Sequence, residues 1–271
     1  MSRSFLALLH YDGGQFVGWQ RQAAGRSVQA EVEAVLARLM GRRVVAHAAG
    51  RTDAGVHALG MGVSLTVPAS WRADALHRAL NALLPRDCWV ADVRPVVPGF
   101  HARKSALARR YRYAIGTDPA SRSPFRRPFE WPLGRELDRL ALDAAARLLV
   151  GEHDFRAFAA KGEPKPHYRC RVALAAWETR PDGSGVRFDV EADRFLHHMV
   201  RLLVGTMVEV GLGRRPAEDV AALLRRTDNH ATSPPAPPQG LFFIRATYPP
   251  ESFDAPDAPA TSQRSVTHDA P

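Results

Sequence analysis

Apolar and polar positions along the chain switch between alternation and helical spacing, and the switch follows the same order twice. Residues 4–10 form a short apolar run that reads as a strand. A turn at Asp12-Gly13-Gly14 follows. Ser27 then stands as an N-cap before Val28, Val32, Val35, Leu36 and Leu39, whose spacing predicts a helix over 28–40 closed by Gly41. Residues 43–49 and 62–67 read as strands on either side of a loop of small residues, 50–60. Residues 73–84 make a second amphipathic helix, stopped by Pro85, and 88–97 a further strand. The order is β-α-β-β-α-β, that of a ferredoxin-like split βαβ unit.

The second half repeats the order. Residues 105–116 read as a strand rich in Arg and Tyr, 137–150 as a helix, and 170–179 as a strand. Pro181-Asp182-Gly183 turns into a strand over 186–190. A strongly apolar helix is expected over 194–210, a short one after Pro216, and a closing strand over 240–248. The expected fold is therefore α+β, with a ferredoxin-like unit over 1–104 and another over 105–250. Segments 119–132 and 161–169 read as basic loops, and 234–238 as a proline-rich connector. From Pro249 on, periodicity disappears, and 251–271 is expected to be a disordered acidic tail.

Composition narrows the class. A chain of 271 residues with 45% hydrophobic content can bury one large or two small cores. No apolar run reaches the roughly 18–20 residues of a membrane helix. The start, Met1 to Ala7, is too soon broken by Asp12-Gly13-Gly14 to read as a signal peptide. Cys88 and Cys170 lack a CxxC partner and read as buried thiols of a cytoplasmic protein. Lys and Arg number 37 against 28 Asp and Glu, a net of +9, and the acidic end of the chain makes the remainder more basic still. Such an excess points to a polyanionic partner, nucleic acid first. Nearly all of it is arginine, with lysine only at 104, 161 and 165, so a compositional origin is the alternative.

Three places carry candidate chemistry. The loop Gly50-Arg51-Thr52-Asp53-Ala54-Gly55-Val56-His57-Ala58-Leu59-Gly60 holds one carboxylate, Asp53, among small residues, with Arg51 and His57 as local cations. An Asx-type turn is the plainer account of Asp53. Arg201 lies in the apolar run Phe195 to Gly205 with few acids nearby, so a distant carboxylate such as Asp53 is a reasonable partner; a snorkelling edge position is the alternative. His197-His198 has no cysteine or acid at a ligand spacing, which argues against a metal site. In Arg109-Arg110-Tyr111-Arg112-Tyr113, a strand places Tyr111 and Tyr113 on one face and Arg110 and Arg112 on the other. That pattern suits base stacking with phosphate contact, or else an amphipathic edge strand.

These residues resemble the tRNA pseudouridine synthase A family. Tyr11-Asp12-Gly13 with Gly18-Trp19-Gln20-Arg21-Gln22 matches its first motif, and Gly50 to Ala58 its catalytic motif without change. Phe100-His101-Ala102-Arg103 and Arg110-Tyr111-Arg112-Tyr113 match its central motif. Phe195 to Arg201, Val204-Gly205 and Pro238-Gln239-Gly240-Leu241 match its last motifs. Met61, Leu65 and the 161–170 loop depart from the usual pattern. The resemblance implies a pseudouridine synthase fold, two sheets flanking a central cleft, and isomerisation of uridine at positions 38–40 of tRNA without metal or cofactor. It further implies Asp53 as the essential carboxylate, Arg201 holding it ionised, Tyr111 stacking on uracil, Arg51 holding the extruded nucleotide and Leu241 lining the base pocket. RNA contacts fall to Gln20, Arg21, Arg103, Arg109 and Arg110, and the expected assembly is a homodimer sharing one tRNA. A non-catalytic RNA-binding protein with tandem ferredoxin-like domains is the competing reading, and a carboxylate-dependent hydrolase a weaker third.

Overall fold

The computed structural model describes residues 1–160 and 167–253. In the first half, β1 (Ser2–Tyr11) leads to α1 (Val28–Met40), then β2 (His47–Ala48), β3 (His57–Pro68), α2 (Ala73–Leu83) and β4 (Cys88–Val96). The second half runs β5 (Ala108–Gly116), β6 (Trp131–Pro132), α3 (Arg139–Arg147), β7 (Gly151–Asp154), β8 (Arg169–Thr179) and β9 (Gly185–Ala192). It closes with α4 (Met199–Gly211), α5 (Asp219–Leu224) and β10 (Leu241–Thr247). Instead of the two sheets expected, ten strands join one mixed sheet in the order β4-β1-β3-β10-β5-β9-β8-β7, with β2 on β3 and β6 on β5, because β10 pairs with β3 as well as β5 and so joins the two halves. Every pairing along that order is antiparallel except β3 with β10.

Local signals explain most element ends. Ser27 Oγ accepts from the Ala30 amide, and Gly41 closes α1 in the left-handed region at φ 64°. Asp138 Oδ1 accepts from the Ala141 amide at 3.0 Å and starts α3. α1 buries Val28, Val32, Val35 and Leu36, and α4 buries Leu202, Leu203, Val204, Met207 and Val208. The two sets belong to one contiguous apolar core.

Five expectations about element bounds need correction. The 50–60 loop ends early: β3 begins at His57, because its first residues pair with β10, Phe242 opposite His57 and Phe243 opposite Ala58. The edge of β3 away from β1 is thus shared, and β2 keeps only His47 and Ala48, on Ser64 and Val63. β7 was not expected, since Gly-Glu-His-Asp has no apolar alternation; its ladder comes from β8. The helix over 194–210 begins five residues late, at Met199, because His198 adopts φ 61°. The tail also starts later than 251: a 3-10 turn at Pro250–Phe253 docks on β4, with the Val97 amide donating to Ser252 O at 3.1 Å. The rest of that tail, and 161–166 of the basic loop, lie outside the described residues.

The β3–β10 seam is tight. A Cβ on Gly60 would lie 2.3 Å from the Ile244 carbonyl oxygen, so only glycine lets the two backbones meet there. This seam sets the Asp53 loop, which ends in β3, beside Tyr111 of β5, the next strand beyond β10.

Candidate active site

The Asp53 loop is held by backbone contacts from the N-terminal motif. Gly18 forms a β-bridge with Asp53, and the Trp19 amide donates to Thr52 O at 3.1 Å. The Gly55 amide donates to Phe16 O at 3.3 Å. Tyr11 and Thr52 share a hydroxyl hydrogen bond of 2.8 Å. Gly18 sits at φ 114°, and a Cβ there would approach Thr52 O to 2.7 Å. Gly18→Ala is therefore expected to cost about 1–3 kcal/mol through strain and to shift the loop. Thermal denaturation with single-turnover assays should record a lower Tm and a kcat reduced roughly tenfold or more. An unchanged kcat would show that the bridge does not position Asp53.

His57 is not the cation expected from the sequence. It is buried, its Nδ1 accepts from the Gly13 amide at 3.0 Å, and Nε2 lies 3.0 Å from Pro128 O. Asp12 Oδ1, 3.1 Å from Nδ1, favours the charged ring, but burial opposes it more strongly and lowers the pKa. Below the ordinary value of 6.5 the unfolded chain then holds more protons than the folded one, down to the lowered folded value. Stability attributable to His57 is accordingly present above 6.5 and lost as pH falls through that window. His57→Gln should flatten the Tm-versus-pH slope there; a slope equal to wild type would rule this origin out.

Across the loop stands Arg201. Its Nη1 donates to Asp53 Oδ2 at 3.3 Å and its Nε to Ala236 O at 2.7 Å, while Arg201 O accepts from the Ala236 amide at 2.9 Å. The guanidinium side chain is 13% exposed and the carboxylate 22%, so the pair is largely covered yet still reaches solvent. Because one guanidinium edge is fixed to the proline-rich connector, its other edge is aimed at Asp53. His198 Nε2 lies 3.4 Å from Oδ2 and His197 Nε2 3.6 Å from Oδ1. Burial lowers the His198 pKa; Asp53 opposes this, while His197 and Arg201 add to it.

Tyr111 is buried between two edge-on rings, Phe195 at 5.0 Å and Phe243 at 5.1 Å. Burial first, and the Asp53 charge second, push its phenol well above the ordinary range, so it is protonated near neutral pH. A Cβ on Gly50 would sit 3.6 Å from both the Tyr111 hydroxyl and Phe243 Cε2, so the start of the Asp53 loop packs directly against these two rings. Leu241, also buried, opens β10 opposite Tyr113. Arg51 is exposed on the loop beside Asp53.

The remaining predicted contacts have other neighbours. Arg21 pairs with buried Glu33 at 3.0 Å, and Gln20 is exposed. Arg109 donates to the carbonyls of Ala49, Ala106, Asp193 and Arg103, clamping the Asp53 loop to β5. Arg110 and Arg112 both donate to Asp189, which is 2% exposed, from one face of β5. Arg103 is exposed. Met61 and Leu65 point into the core. Sequence reasoning missed Glu33 and Asp189, whose partners Arg21, Arg110 and Arg112 no local pattern marks, and took Phe195 only as part of a motif, not as a ring packed on Tyr111.

Residues 7–103 and 145–249 match the sequence profile described as tRNA pseudouridine synthase. The chain belongs to this family. It is 42% identical over 242 residues to the tRNA pseudouridine synthase A of Moorella thermoacetica, covering 89% of this chain and 97% of that protein. With the enzyme of the same name from Thermus thermophilus it shares 43% over 256 residues, 93% of this chain and 99% of that one. The Solidesulfovibrio magneticus tRNA pseudouridine synthase A is 44% identical over 250 residues, 89% of each chain. The matched residues include both the Asp53 loop and the Arg201 helix. Among the described residues, no helix is long and apolar enough to cross a membrane.

Proposed function

We propose that the cleft between the Asp53 loop and Arg201 is where this enzyme, a tRNA pseudouridine synthase, converts uridine to pseudouridine, with Asp53 as its essential carboxylate. The reaction cleaves the bond from N1 of uracil to C1′ of ribose, turns the base while it is held, and joins C5 to C1′. C5 gives up a proton and N1 gains one, so the atoms of the nucleotide are conserved. The observation that carries this reading is the Asp53–Arg201 ion pair at 3.3 Å, facing a buried tyrosine. A fixed guanidinium balances the charge of the carboxylate and orients it toward the substrate, as a nucleophile or base requires. Tyr111, protonated and packed between Phe195 and Phe243, stacks on the uracil. Arg51 holds the extruded nucleotide, whose base has to leave the helix stack to reach the cleft floor. Leu241 lines the base pocket.

The substrate is uridine at positions 38–40 of the anticodon arm, and the working assembly is a cytoplasmic homodimer whose two clefts share one tRNA. Each half of the sheet forms a ferredoxin-like unit. The order β4-β1-β3-β2 in the first half and β10-β5-β9-β8 in the second supports this, since both follow the split βαβ arrangement. Chemical mapping of pseudouridine in tRNA from a deletion strain, and after adding back the purified enzyme, tests the assignment. Loss and recovery at 38–40 is the expected result; a pattern unchanged by the deletion would favour binding without catalysis.

Binding should depend steeply on salt. The arginine-rich surface meets phosphates whose counterions are released on association. The Kd for tRNA is expected to rise at least roughly tenfold between about 50 and 200 mM salt, measured by filter binding or anisotropy. A flat profile would mean that the basic excess is compositional.

A further inference from the structure

We propose that Asp53, His197 and His198 form a binding site for a divalent transition ion of the zinc class, and that the bound ion blocks the carboxylate and switches the enzyme off. The binding half stands on geometry alone; the inhibitory half rests on the role given to Asp53 above.

The three side chains offer one carboxylate oxygen and two imidazole nitrogens, all within 4.8 Å of one another. The oxygens face different rings: Oδ1 lies 3.6 Å from His197 Nε2, Oδ2 3.4 Å from His198 Nε2. Zinc holds such ligands tetrahedrally at about 2.0–2.2 Å, which separates the donor atoms by about 3.3–3.5 Å. Each ring nitrogen therefore stands close to that spacing from one carboxylate oxygen, and the donor set as a whole lies within 4.8 Å, so a small side-chain rotation brings three donors around one ion. Adjacent residues of a helix point about 100° apart, and would not converge. They converge because His198 takes φ 61°, the one positive φ outside glycine among the described residues, and the ring centroids come within 4.0 Å. An N,N,O set suits zinc and its neighbours rather than magnesium or calcium, which demand mostly oxygen. His197 is 58% exposed, so an ion can enter from the cleft and keep a solvent ligand.

Arg201 is the built-in opponent. Its guanidinium already holds Oδ2, and its charge repels a dication at the same carboxylate. Arg201→Met should thus have opposite effects on two readouts, lowering pseudouridine formation while tightening ion binding severalfold. General disordering of the site would weaken both.

The test uses the full chain, Zn²⁺ competition against a chromophoric chelator, and the visible spectrum of added Co²⁺. Wild type is expected to bind one ion per chain, with Co²⁺ bands of low coordination number. His197→Ala, Asp53→Asn and His198→Asn should each weaken binding at least tenfold and remove the bands; asparagine tolerates the left-handed backbone at 198. His47→Ala serves as a control, because His47 and His101 form the other close histidine pair, 4.6 Å between rings, and it should leave the affinity unchanged. Wild-type activity should fall as the site fills and return with EDTA. Affinity unchanged in the three ligand variants, affinity lost with His47→Ala, or weaker binding in Arg201→Met would overturn the site. Binding that follows every ligand variant while activity persists would leave the site standing and overturn both the inhibition and the role of Asp53.

Discussion

Asp53→Asn is expected to reduce pseudouridine formation by at least about four orders of magnitude, the scale on which removal of an essential group acts. The substitution is nearly isosteric, and the loop is held by backbone bonds from Gly18, Trp19 and Gly55 rather than by the carboxylate. Arg201 loses its ionic partner but keeps the Ala236 carbonyl. Its side chain also reaches solvent at the cleft, so the stability cost should stay within about 1–3 kcal/mol. Affinity for tRNA should be near wild type, since phosphate contacts dominate it. Single-turnover assays with mass spectrometry of the product, alongside filter binding, separate the two effects. Residual turnover within about tenfold of wild type would remove Asp53 from the chemistry.

Arg201→Met carries the second-largest effect. Met fills much of the volume of the largely buried Arg201 side chain on a mostly apolar helix, so α4 should fold. Two side-chain bonds disappear, one to Asp53 and one to Ala236 O. The carboxylate then loses both its charge partner and its orientation, and the connector 234–238 keeps only its backbone tie to α4. A fall in kcat of about 10²–10³ is expected, comparable to removing one preorganised electrostatic contact, with a smaller change in KM. Arg201→Lys should be intermediate, because an ammonium keeps the charge but cannot bond Ala236 O and Asp53 from a planar fork. If the Met variant lost tRNA binding and kept kcat, Arg201 would be an RNA contact rather than the holder of Asp53.

Whether the enzyme is held open or shut by ions in the cell turns on the same three donors. On the proposed reading, the same Arg201 contact both orients Asp53 and opposes a cation there, so one residue links the two behaviours.

Much of this molecule is legible from the chain itself. The helix over 28–40 follows from a serine cap, a regular apolar stripe and a terminal glycine, all local signals that tertiary contacts had no reason to override. The Asp53 loop stands out because glycines flank a lone carboxylate, and Arg201 because its neighbours are apolar and a buried guanidinium needs an anion. The pairing of tyrosines and arginines on opposite faces of β5 follows from the period of a strand. What only the tertiary structure decided are matters of partnership. The arginines of β5 bond Asp189 and backbone carbonyls, which no spacing encodes. His57 reads as a cation until its burial is known, since its charge depends on what covers it. β7 takes its ladder from β8 and β2 shares an edge with β10, because strand ends are set by available neighbours as much as by propensity. His197 and His198 lack a nearby acid in the sequence, yet the fold brings Asp53 to them through the β3–β10 seam and one left-handed residue. Local pattern specifies elements and flags unusual residues; the company those residues keep comes from long-range packing, and the chemistry depends on that company.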